Sequence, residues 1–385
     1  MYLIGRNRRN RNAYRARVGE EHKGDDRGRF GDIKGPYAHR KRNLAEMTPY
    51  LQDIRELYKD SITWEFLKEC NILITGATGL IGSCLVDILM NHPDKAWKVY
   101  AMGRNEERAN RRFHQYLQDK DFKFLKGDIE KPIQTDVPFH YIIHAASNAS
   151  PNFFVNNPVE IIKANIYGVA NLMEYGMKHQ MRRFLYVSSG EVYGNNNIDA
   201  FSESDYGYVD ILNPRACYPS AKRAAETLAI CYGKEYGMDV VIARPCHTYG
   251  PYFTEEDNRV YAQFIRNVIN GEDIFMKSAG LQYRSWCYVV DCAAALLLLL
   301  CKGKSGEAYN IADSNSNVTI KELAEIVAKE GGRQVISKEP TKEEIEGFTV
   351  IKKAVFDTNK LTSLGWKVQR SLQENIRHTI ETLLQ

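Results

Sequence analysis

The sequence contains no apolar run that approaches the roughly 20 residues needed for a membrane-spanning helix. Its most apolar segment, from Cys292 to Cys301, holds five consecutive leucines but is bounded by Asp291 and Lys302, which favours a buried helix. The start of the chain also lacks the apolar h-region of about 7–15 residues that marks a secretory signal peptide. We therefore expect a cytoplasmic protein without a membrane partner.

Paired cysteines are absent as well, since none of the eight cysteines stands in a C-x-x-C pattern. Most of them lie inside apolar segments, where a reduced and buried thiol is typical of a cytoplasmic protein. The sequence therefore predicts neither a disulfide framework nor a metal site.

Excess positive charge is missing from most of the chain, although the formal net charge is +4. Residues 1–46 hold 13 Lys+Arg and 6 Asp+Glu, whereas the remainder holds 39 and 42. This first segment is rich in Arg, Asn and Gly and has little to bury, which predicts a disordered basic tail. Because it has no recognisable nucleic-acid-binding module, we expect no nucleic-acid partner. An alternative is that the natural product begins at Met47.

From Asn71 to Gly82 the chain has a short apolar strand that leads into a glycine-rich turn, and a helix is predicted over Ser83–Met90. The glycines have the G-x-x-G-x-x-G spacing of a dinucleotide site, where they permit a tight turn and close approach of a pyrophosphate. The N-terminus of the helix then offers unpaired N–H groups to the phosphates. The predicted contacts of this motif are Gly76, Thr78, Gly79, Leu80, Ile81 and Gly82.

Strands alternate with helices of 10–20 residues up to about Pro245, which indicates an α/β fold with a Rossmann-like, doubly wound parallel sheet. After the first strand, further strands are predicted at 97–102, 122–125, 141–144, 184–187 and 239–243. Helices are predicted at 158–179 and 220–236.

Beyond Pro245 the alternation becomes irregular, with helices expected at 260–270, 290–301, 320–329 and 372–384 and strands near 275, 308–311 and 355. We therefore predict a dinucleotide-binding domain over 47–245 and a smaller mixed α/β substrate domain over 246–385, partly interleaved. The substrate should bind between them, outside the carboxyl ends of the strands.

Tyr218 and Lys222 stand four residues apart, which places a phenol and an ammonium on one face of a helix. A nearby ammonium lowers the proton affinity of a phenol, so we expect the pKa of Tyr218 to be depressed. Such a phenol can take the proton of a sugar hydroxyl while hydride leaves the same carbon for a nicotinamide.

Ser189 and Glu191 follow the strand at 184–187 and are expected at the same strand end. The hydroxyl of Ser189 can hydrogen-bond the reacting alcohol and its ketone. The carboxylate of Glu191 can act as a general base at the carbon next to that ketone.

From Asn71 onward the chain resembles the extended short-chain dehydrogenases/reductases, often called NAD-dependent epimerase/dehydratases. The resemblance rests on several blocks in the family's order: Gly76–Gly82, Asp128, His144-Ala-Ala-Ser, Asn165, Ser189, Tyr218 with Lys222, Arg244 to Pro251, Arg284, and Leu364-Gly-Trp366. It implies enzymes that oxidise the C4 hydroxyl of a nucleotide-sugar, often as a temporary transfer of hydride.

The resemblance also implies roles for individual residues. It makes Ser189, Tyr218 and Lys222 the catalytic triad. The implied cofactor contacts include Asp128 and Ile129 near the adenine, with Ala145, Ala146, Ser147 and Asn165, besides Tyr218 and Lys222. The implied substrate contacts are Ser147, Ser189, Glu191, His247, Arg259, Arg284 and Lys352, in which Arg259 and Arg284 would hold the diphosphate.

Within the family, Pro214-Arg-Ala-Cys-Tyr218, Arg259-Val and Arg284-Ser-Trp-Cys-Tyr288 look most like UDP-glucuronate decarboxylases, with the sugar-nucleotide 4,6-dehydratases next. Glu191 matches a glutamate that both groups carry. The implied enzyme is a lyase that oxidises C4 and then eliminates carbon dioxide or water.

Three positions depart from these patterns. Gly190 stands where glucose-nucleotide dehydratases have an aspartic acid that protonates the leaving hydroxyl, and where other 4,6-dehydratases have serine. Lys352 stands where decarboxylases have an arginine, and it keeps the charge but not the fork of donors. His247 replaces the usual asparagine, and we expect it to hydrogen-bond the substrate without proton transfer. An NADP(H)-dependent 4-ketoreductase or a 4-epimerase therefore remains the alternative.

The cofactor is either NAD or NADP. Arg104, with Arg108 close by, follows the second strand and suits a ribose 2′-phosphate, which favours NADP slightly. The decarboxylase resemblance instead implies NAD. It also implies a homodimer, whose helical interface Ala224, Ala225 and Leu228 could serve, although the same residues would equally serve the core.

Overall fold

The computed structural model describes residues 47–59, 62–147, 149, 151–338 and 352–385, so the predicted disordered tail at 1–46 lies outside the described residues. The helices of the described residues are α1 Pro49–Leu57, α2 Leu80–Met90, α3 Glu106–Arg112, α4 Pro151–Asn156, α5 Pro158–Lys178, α6 Cys217–Tyr236, α7 Val260–Ile269, α8 Val289–Lys302, α9 Ile320–Glu330, α10 Asn359–Thr362 and α11 Leu372–Leu384. Short 3₁₀ helices span Trp64–Leu67, Gly190–Tyr193 and Pro214–Ala216.

The strands of the described residues form three sheets. They are β1 Asn71–Thr75, β2 Lys98–Gly103, β3 Phe122–Lys126, β4 Tyr141–His144, β5 Arg183–Val187, β6 Val240–Pro245, β7 His247–Tyr249, β8 Ile274–Met276, β9 Tyr283–Tyr288, β10 Ala308–Ile311, β11 Asp313–Thr319, β12 Val335–Ser337 and β13 Lys353–Ala354.

The main sheet has seven strands, all parallel, in the order β10-β6-β5-β4-β1-β2-β3. The strand order reverses beside β1, because the chain adds β2 and β3 on one side and β4, β5 and β6 on the other. This topology confirms the predicted Rossmann-like, doubly wound sheet.

Helices cover both faces of this sheet, as alternate residues of β1 show. Ile72 and Ile74 belong to a core cluster that includes residues of α2 and α8. Leu73 belongs to a second cluster, built from residues of α5 and α6. Because both faces are buried, β1 has a nearly continuous apolar sequence instead of an alternating one.

The carboxyl ends of the central strands meet at one edge, which positions the site. Thr75 at the end of β1 pairs with Met102 of β2 on one side and with His144 of β4 on the other. His144 in turn pairs with Tyr186 of β5.

The C-terminal half differs from the sequence prediction in two ways. β10, which we assigned to the second domain, is the edge strand of the main sheet and pairs with β6. β9, which the pattern did not predict, organises a small sheet with β7, β11 and β13. The residues of β9 do not alternate between polar and apolar, so the sequence gave no clear strand signal, and pairing with distant segments defines this strand. The division at residue 245 stays a prediction.

All eight cysteines are free, and Cys84, Cys287 and Cys292 are among the buried ones. The leucine-rich segment forms most of α8 and is buried throughout, as the sequence predicted. No helix among the described residues is both long and apolar enough to cross a membrane.

Candidate active site

The glycine turn joins β1 to α2 at the strand end. Gly76 has a φ of +66°, and a Cβ built there would lie 2.7 Å from the carbonyl oxygen of Ala145 and from the backbone N of Ala146. A Cβ on Gly82 would lie 2.3 Å from the Gly76 carbonyl oxygen. The backbone is thus folded so closely that only glycine fits, as a dinucleotide turn requires.

Several buried polar atoms around this turn have no hydrogen-bond partner among the described residues. They are Nε2 of His144 and the hydroxyl oxygens of Ser147 and Ser188. Buried polar atoms in native proteins are normally paired. Together with the glycine cradle and the open N–H groups of the first turn of α2, these atoms fit a bound dinucleotide.

The residues predicted on the cofactor side occupy this same edge. The side chain of Asp128 caps its own turn by accepting from the N–H of Glu130 at 3.1 Å. Asn165 is fully buried, donating to Ile161 and accepting from the Tyr186 hydroxyl at 3.2 Å. Ile129 packs near Gly168 of α5.

Arg104 lies exposed immediately after β2, at the position that selects between NAD and NADP. Arg108 has its guanidinium engaged in an ion pair with Glu256. Because Arg108 is paired with Glu256, its guanidinium is less available to bind a ribose 2′-phosphate. Arg104 is then the cation that would bind this phosphate.

Tyr218 is the second residue of α6 and is buried, with its ring stacked on Phe154 at 4.6 Å between centroids. One turn later, Lys222 is also buried, and its Nζ donates to the Val187 carbonyl at 2.9 Å and lies 5.8 Å from the centroid of the Tyr218 ring. The predicted pair is therefore together, at the carboxyl end of β5.

The predicted depression of the Tyr218 pKa is wrong. Burial and the charge of Glu191 raise the pKa of Tyr218 to about 12, against the lowering effects of Ser189, Arg259 and Arg215. Burial lowers the pKa of Lys222 to about 7, partly opposed by Glu226. Desolvation disfavours both charged forms, and it outweighs the attraction that spacing alone suggested.

Ser189 and Glu191 stand in the loop after β5. The Ser189 hydroxyl caps the following 3₁₀ helix by accepting from the Glu191 N–H at 3.2 Å, and it helps to lower the pKa of Tyr218 against the effect of burial. The Glu191 carboxylate accepts two bonds from the Arg215 guanidinium, at 3.0 and 3.1 Å. Arg215 lies in turn over the ring of Phe154, 4.7 Å from its centroid. Ser189, Glu191 and Tyr218 thus lie together at the carboxyl end of β5.

His247, Arg259 and Arg284 form a positively charged group on the substrate side. Desolvation by the surrounding protein, reinforced by the positive charges of Arg284 and Arg259, lowers the pKa of His247 to about 3. Its ring lies 5.2 Å from that of Trp286. A neutral histidine between two guanidinium groups suits hydrogen bonding to a diphosphate and does not suit a general acid.

The two arginines are held differently. Arg259 is paired with Asp257 through bonds of 2.5 and 2.9 Å and with the Tyr261 hydroxyl at 2.9 Å. Arg284 is buried in β9, and burial lowers its pKa to about 10 although Glu191 opposes this. The same charge from Glu191 reaches Tyr218, which connects the predicted substrate side to the catalytic residues.

Lys352 is exposed just before β13, and its backbone carbonyl accepts from the Tyr283 N–H at 2.9 Å. No contact of its side chain with the catalytic residues is seen, so its predicted substrate contact stays a prediction. The nearby residue that does reach the catalytic loop is Phe356, whose ring lies against Gly190.

Sequence reasoning missed Arg215, Phe154 and Phe356 as parts of the site. Arg215 stood inside the block that carried the resemblance, and its distance of 24 residues from Glu191 concealed the pair. The two phenylalanines carried no signal, because an aromatic residue usually belongs to the core.

Comparisons with known proteins agree with this geometry. The model of the NAD dependent epimerase/dehydratase family matches residues 72–312. UDP-glucuronic acid decarboxylase 6 of Arabidopsis thaliana is 35% identical over 265 residues, covering 68% of this chain and 74% of that protein.

Two solved structures share the fold. A UDP-glucose 4-epimerase from Thermotoga maritima, with UDP-glucose, has a TM-score of 0.71 at 26% identity, covering 81% of this chain and 98% of that one. A dTDP-glucose 4,6-dehydratase from Streptomyces venezuelae, with NAD bound, has a TM-score of 0.70 at 24% identity, covering 81% and 96%.

The family description names NAD, which supports NAD as the cofactor. The family match runs from the glycine turn in β1 and α2 to the segment after β10, which includes every predicted catalytic residue. The chain therefore belongs to the NAD-dependent epimerase/dehydratase family.

Proposed function

We propose that this protein is a nucleotide-sugar lyase, which oxidises the hexose C4 with bound NAD and then eliminates carbon dioxide or water. The observation that carries the proposal is the Glu191 carboxylate, fixed by Arg215 and acting on Tyr218 beside Ser189. The similarity to UDP-glucuronic acid decarboxylase supports carbon dioxide as the product.

Tyr218 is the base for the C4 hydroxyl. Its phenol oxygen takes the proton from O4 as the alcohol becomes a ketone, and returns it when the alcohol is restored. The Lys222 amine donates to the Val187 carbonyl, and the protonated form of this amine favours the phenolate of Tyr218. The Ser189 hydroxyl, which favours the phenolate of Tyr218, orients the reacting oxygen.

The cofactor would be held by the turn at Gly76–Gly82 and by the orphan polar atoms of His144, Ser147 and Ser188. When bound, its oxidised nicotinamide ring supplies reversible hydride acceptance and a positive charge beside the buried phenol.

Glu191 serves the second half of the reaction. Once C4 is a ketone, the proton on C5 is acidified, and in this proposal the Glu191 carboxylate removes or returns it. The two bonds from Arg215 fix both carboxylate oxygens, so the base is preorganised. Arg259, Arg284 and His247 would hold the diphosphate of the substrate.

A panel of nucleotide-sugars analysed by mass tests the proposal. Loss of carbon dioxide or water without net oxidation of cofactor is the expected result. For Glu191→Gln, we expect C4 oxidation followed by accumulation of reduced cofactor. Unimpaired product formation by this variant would contradict the lyase assignment. Glu325→Gln, at an exposed position of α9, serves as a matched control for handling and folding.

A 4-epimerase is the second candidate, because 98% of the Thermotoga maritima 4-epimerase is matched by this chain and glycine at 190 replaces the dehydratases' aspartic acid. A product of unchanged mass but altered chromatographic mobility would identify it. Stoichiometric oxidation of NADPH on a 4-keto sugar would instead identify a 4-ketoreductase.

We also propose a homodimer formed through α5 and α6. Val159, Ile162 and Tyr167 of α5 expose 62%, 45% and 49% of their surface, which is costly for apolar side chains. Ala224 is exposed beside them on α6, whereas Ala225 is in the core. Sedimentation at two protein concentrations tests this, and Ile162→Glu should yield monomers.

A further inference from the structure

The catalytic loop has no room for a side chain at Gly190. A Cβ built on this glycine would lie 2.2 Å from Cζ and 2.6 Å from Cε1 of Phe356. The backbone of Gly190 is not in the left-handed region, so conformation does not explain the glycine. The ring of Phe356 explains the glycine, because it fills the volume that a side chain at position 190 would take.

Phe356 is held firmly in this place. Its N–H donates to the Ser285 hydroxyl at 3.1 Å, and the segment around it bonds Phe201 on both sides, from the Phe201 N–H to Val355 and from the Asp357 N–H to Phe201, each at 2.8 Å. Only 5% of Phe356 is exposed. These bonds fix the backbone that carries the ring, and burial holds the ring beside Gly190.

The aromatic surroundings strengthen this arrangement. Phe356 belongs to a small buried cluster with Val192, Tyr193, Phe201 and Ala312. Its ring centroid lies 5.6 Å from that of Tyr193 and 6.0 Å from that of Phe201. The cluster lies directly below the loop that carries Ser189 and Glu191, so it forms an inert apolar wall there.

Loss of water and loss of carbon dioxide need different chemical groups at this apolar wall. Loss of the C6 hydroxyl breaks the C6–O bond, and the departing oxygen needs a proton from a general acid. Loss of a C6 carboxylate breaks the C5–C6 bond, whose electron pair passes into the C4 ketone as an enolate. Carbon dioxide then departs without a proton, and C5 is protonated afterwards. Glu191 cannot serve both as base and as that acid in one step.

We infer that Phe356 is a specificity-determining residue, which closes the general-acid position at Gly190 and commits the site to nucleotide-linked hexuronates. This rests on the proposed function and deepens it. A ring that offers no proton leaves a C4-oxidised hexose without a route for losing its C6 hydroxyl, whereas a C4-oxidised hexuronate decarboxylates.

The wild-type protein with bound NAD is tested on UDP-glucuronate and on UDP-glucose, with products followed by mass. We expect loss of carbon dioxide from the first and no loss of water from the second. Release of water from UDP-glucose at a rate comparable with decarboxylation overturns the inference but leaves the lyase function standing. Failure to decarboxylate UDP-glucuronate overturns the decarboxylase function, and this inference with it.

A pair of variants tests the ring itself. Phe356→Ala combined with Gly190→Asp should release water from UDP-glucose at least about tenfold faster than Gly190→Asp alone, because the new carboxyl then has space. Phe201→Ala with Gly190→Asp is the matched control, since it opens the same cluster away from position 190 and should give no gain. A folded double variant at Phe356 without the gain overturns the inference.

Stability supplies a readout that needs no activity. Gly190→Ala should lower the midpoint of urea unfolding, because its Cβ would lie 2.2 Å from Cζ of Phe356. In the background of Phe356→Ala, where this clash is absent, Gly190→Ala should not lower the midpoint further. If Gly190→Ala is as stable as the wild type, or if the two effects simply add, the ring does not close this position.

Discussion

Tyr218 shows how strongly one buried group depends on its surroundings. Its pKa is raised to about 12 by burial and by Glu191, while the neighbouring amine of Lys222 has its own pKa lowered to about 7. Arg259 and Arg215 already oppose the rise of the Tyr218 pKa. A further positive charge bound beside the phenol would lower this pKa more, because it would stabilise the phenolate. We therefore expect the phenolate to form only when cofactor is present.

Replacing Tyr218 by phenylalanine should remove turnover while leaving NAD bound. In the proposed reaction the phenol oxygen accepts the proton from O4, and such general bases contribute about 100-fold or more. The comparison is made by steady-state product formation and by a separate NAD-binding titration. Tyr232→Phe, on the same helix but beside Glu174 on the outer side, is the control. Near-full turnover of the Tyr218 variant would show that the catalytic assignment is wrong.

Gly76 offers a second test at the scale of a single residue. Alanine there would combine a left-handed backbone with contacts of 2.7 Å to backbone atoms of Ala145 and Ala146. We expect a loss of stability well above the roughly 1–2 kcal/mol of the conformation alone, and at least about tenfold weaker NAD binding. Chemical unfolding and NAD titration measure both effects.

Gly306→Ala is the matched control for Gly76→Ala. Gly306 also has a positive φ, +80°, but a Cβ there would have nothing within 4 Å. It should therefore cost only about 1–2 kcal/mol and leave NAD binding unchanged. Equal effects at the two positions would contradict the close approach seen at the glycine turn.

At the scale of elements, α8 contains a buried carboxyl that makes its packing sensitive to pH. Asp291 is 4% exposed, and burial raises its pKa to about 7 from an ordinary 3.8. Its backbone carbonyl accepts from the indole N–H of Trp366, and its carboxylate accepts from the N–H of Gln369 at 3.4 Å. The segment at Leu364–Trp366, which carried part of the resemblance, is thereby tied to the start of α8.

Because the pKa of Asp291 is higher in the folded protein, the folded state keeps a proton between about pH 4 and 7 that the unfolded state has lost. The free energy of unfolding should fall as pH rises through this window, by up to about 4 kcal/mol. Asp291→Asn should remove that fall, which urea unfolding at pH 4.5 and 7.5 (~3 units apart) measures. The exposed Asp94→Asn should retain it. An unchanged fall in Asp291→Asn would contradict the burial argument.

At the scale of the whole molecule, the first and last described helices are joined by charges. Arg370, just before α11, pairs with Asp53 of α1 at 2.8 Å and also with Glu56. Asp53 is 2% exposed and further bonds His378 and the Tyr288 hydroxyl. Residues from both ends of the described chain thereby close over β9.

Arg370→Ala should destabilise the protein by about 2–3 kcal/mol, because it leaves a buried carboxylate with fewer partners. Urea unfolding followed by circular dichroism measures this. Lys321→Ala removes a half-exposed pair with Glu325 on α9 and should change stability by less than about 0.5 kcal/mol. A similar small change in Arg370→Ala would show that the ends are held by apolar packing alone.

The sequence by itself determined the part of the doubly wound sheet from β1 to β6, the glycine turn and the candidate catalytic residues. Glycine spacing, strand length and the four-residue interval between Tyr218 and Lys222 are local properties, which depend on neighbours along the chain. These features can therefore be predicted without any tertiary contact.

Only the tertiary structure decided how those residues behave. The raised pKa of Tyr218, the clamp of Arg215 on Glu191 and the ring of Phe356 against Gly190 all arise between segments far apart in the chain. Desolvation and steric exclusion depend on what surrounds a group in space, and a linear pattern contains no record of that. The place of β10 in the main sheet was hidden for the same reason, because strand pairing is a long-range contact.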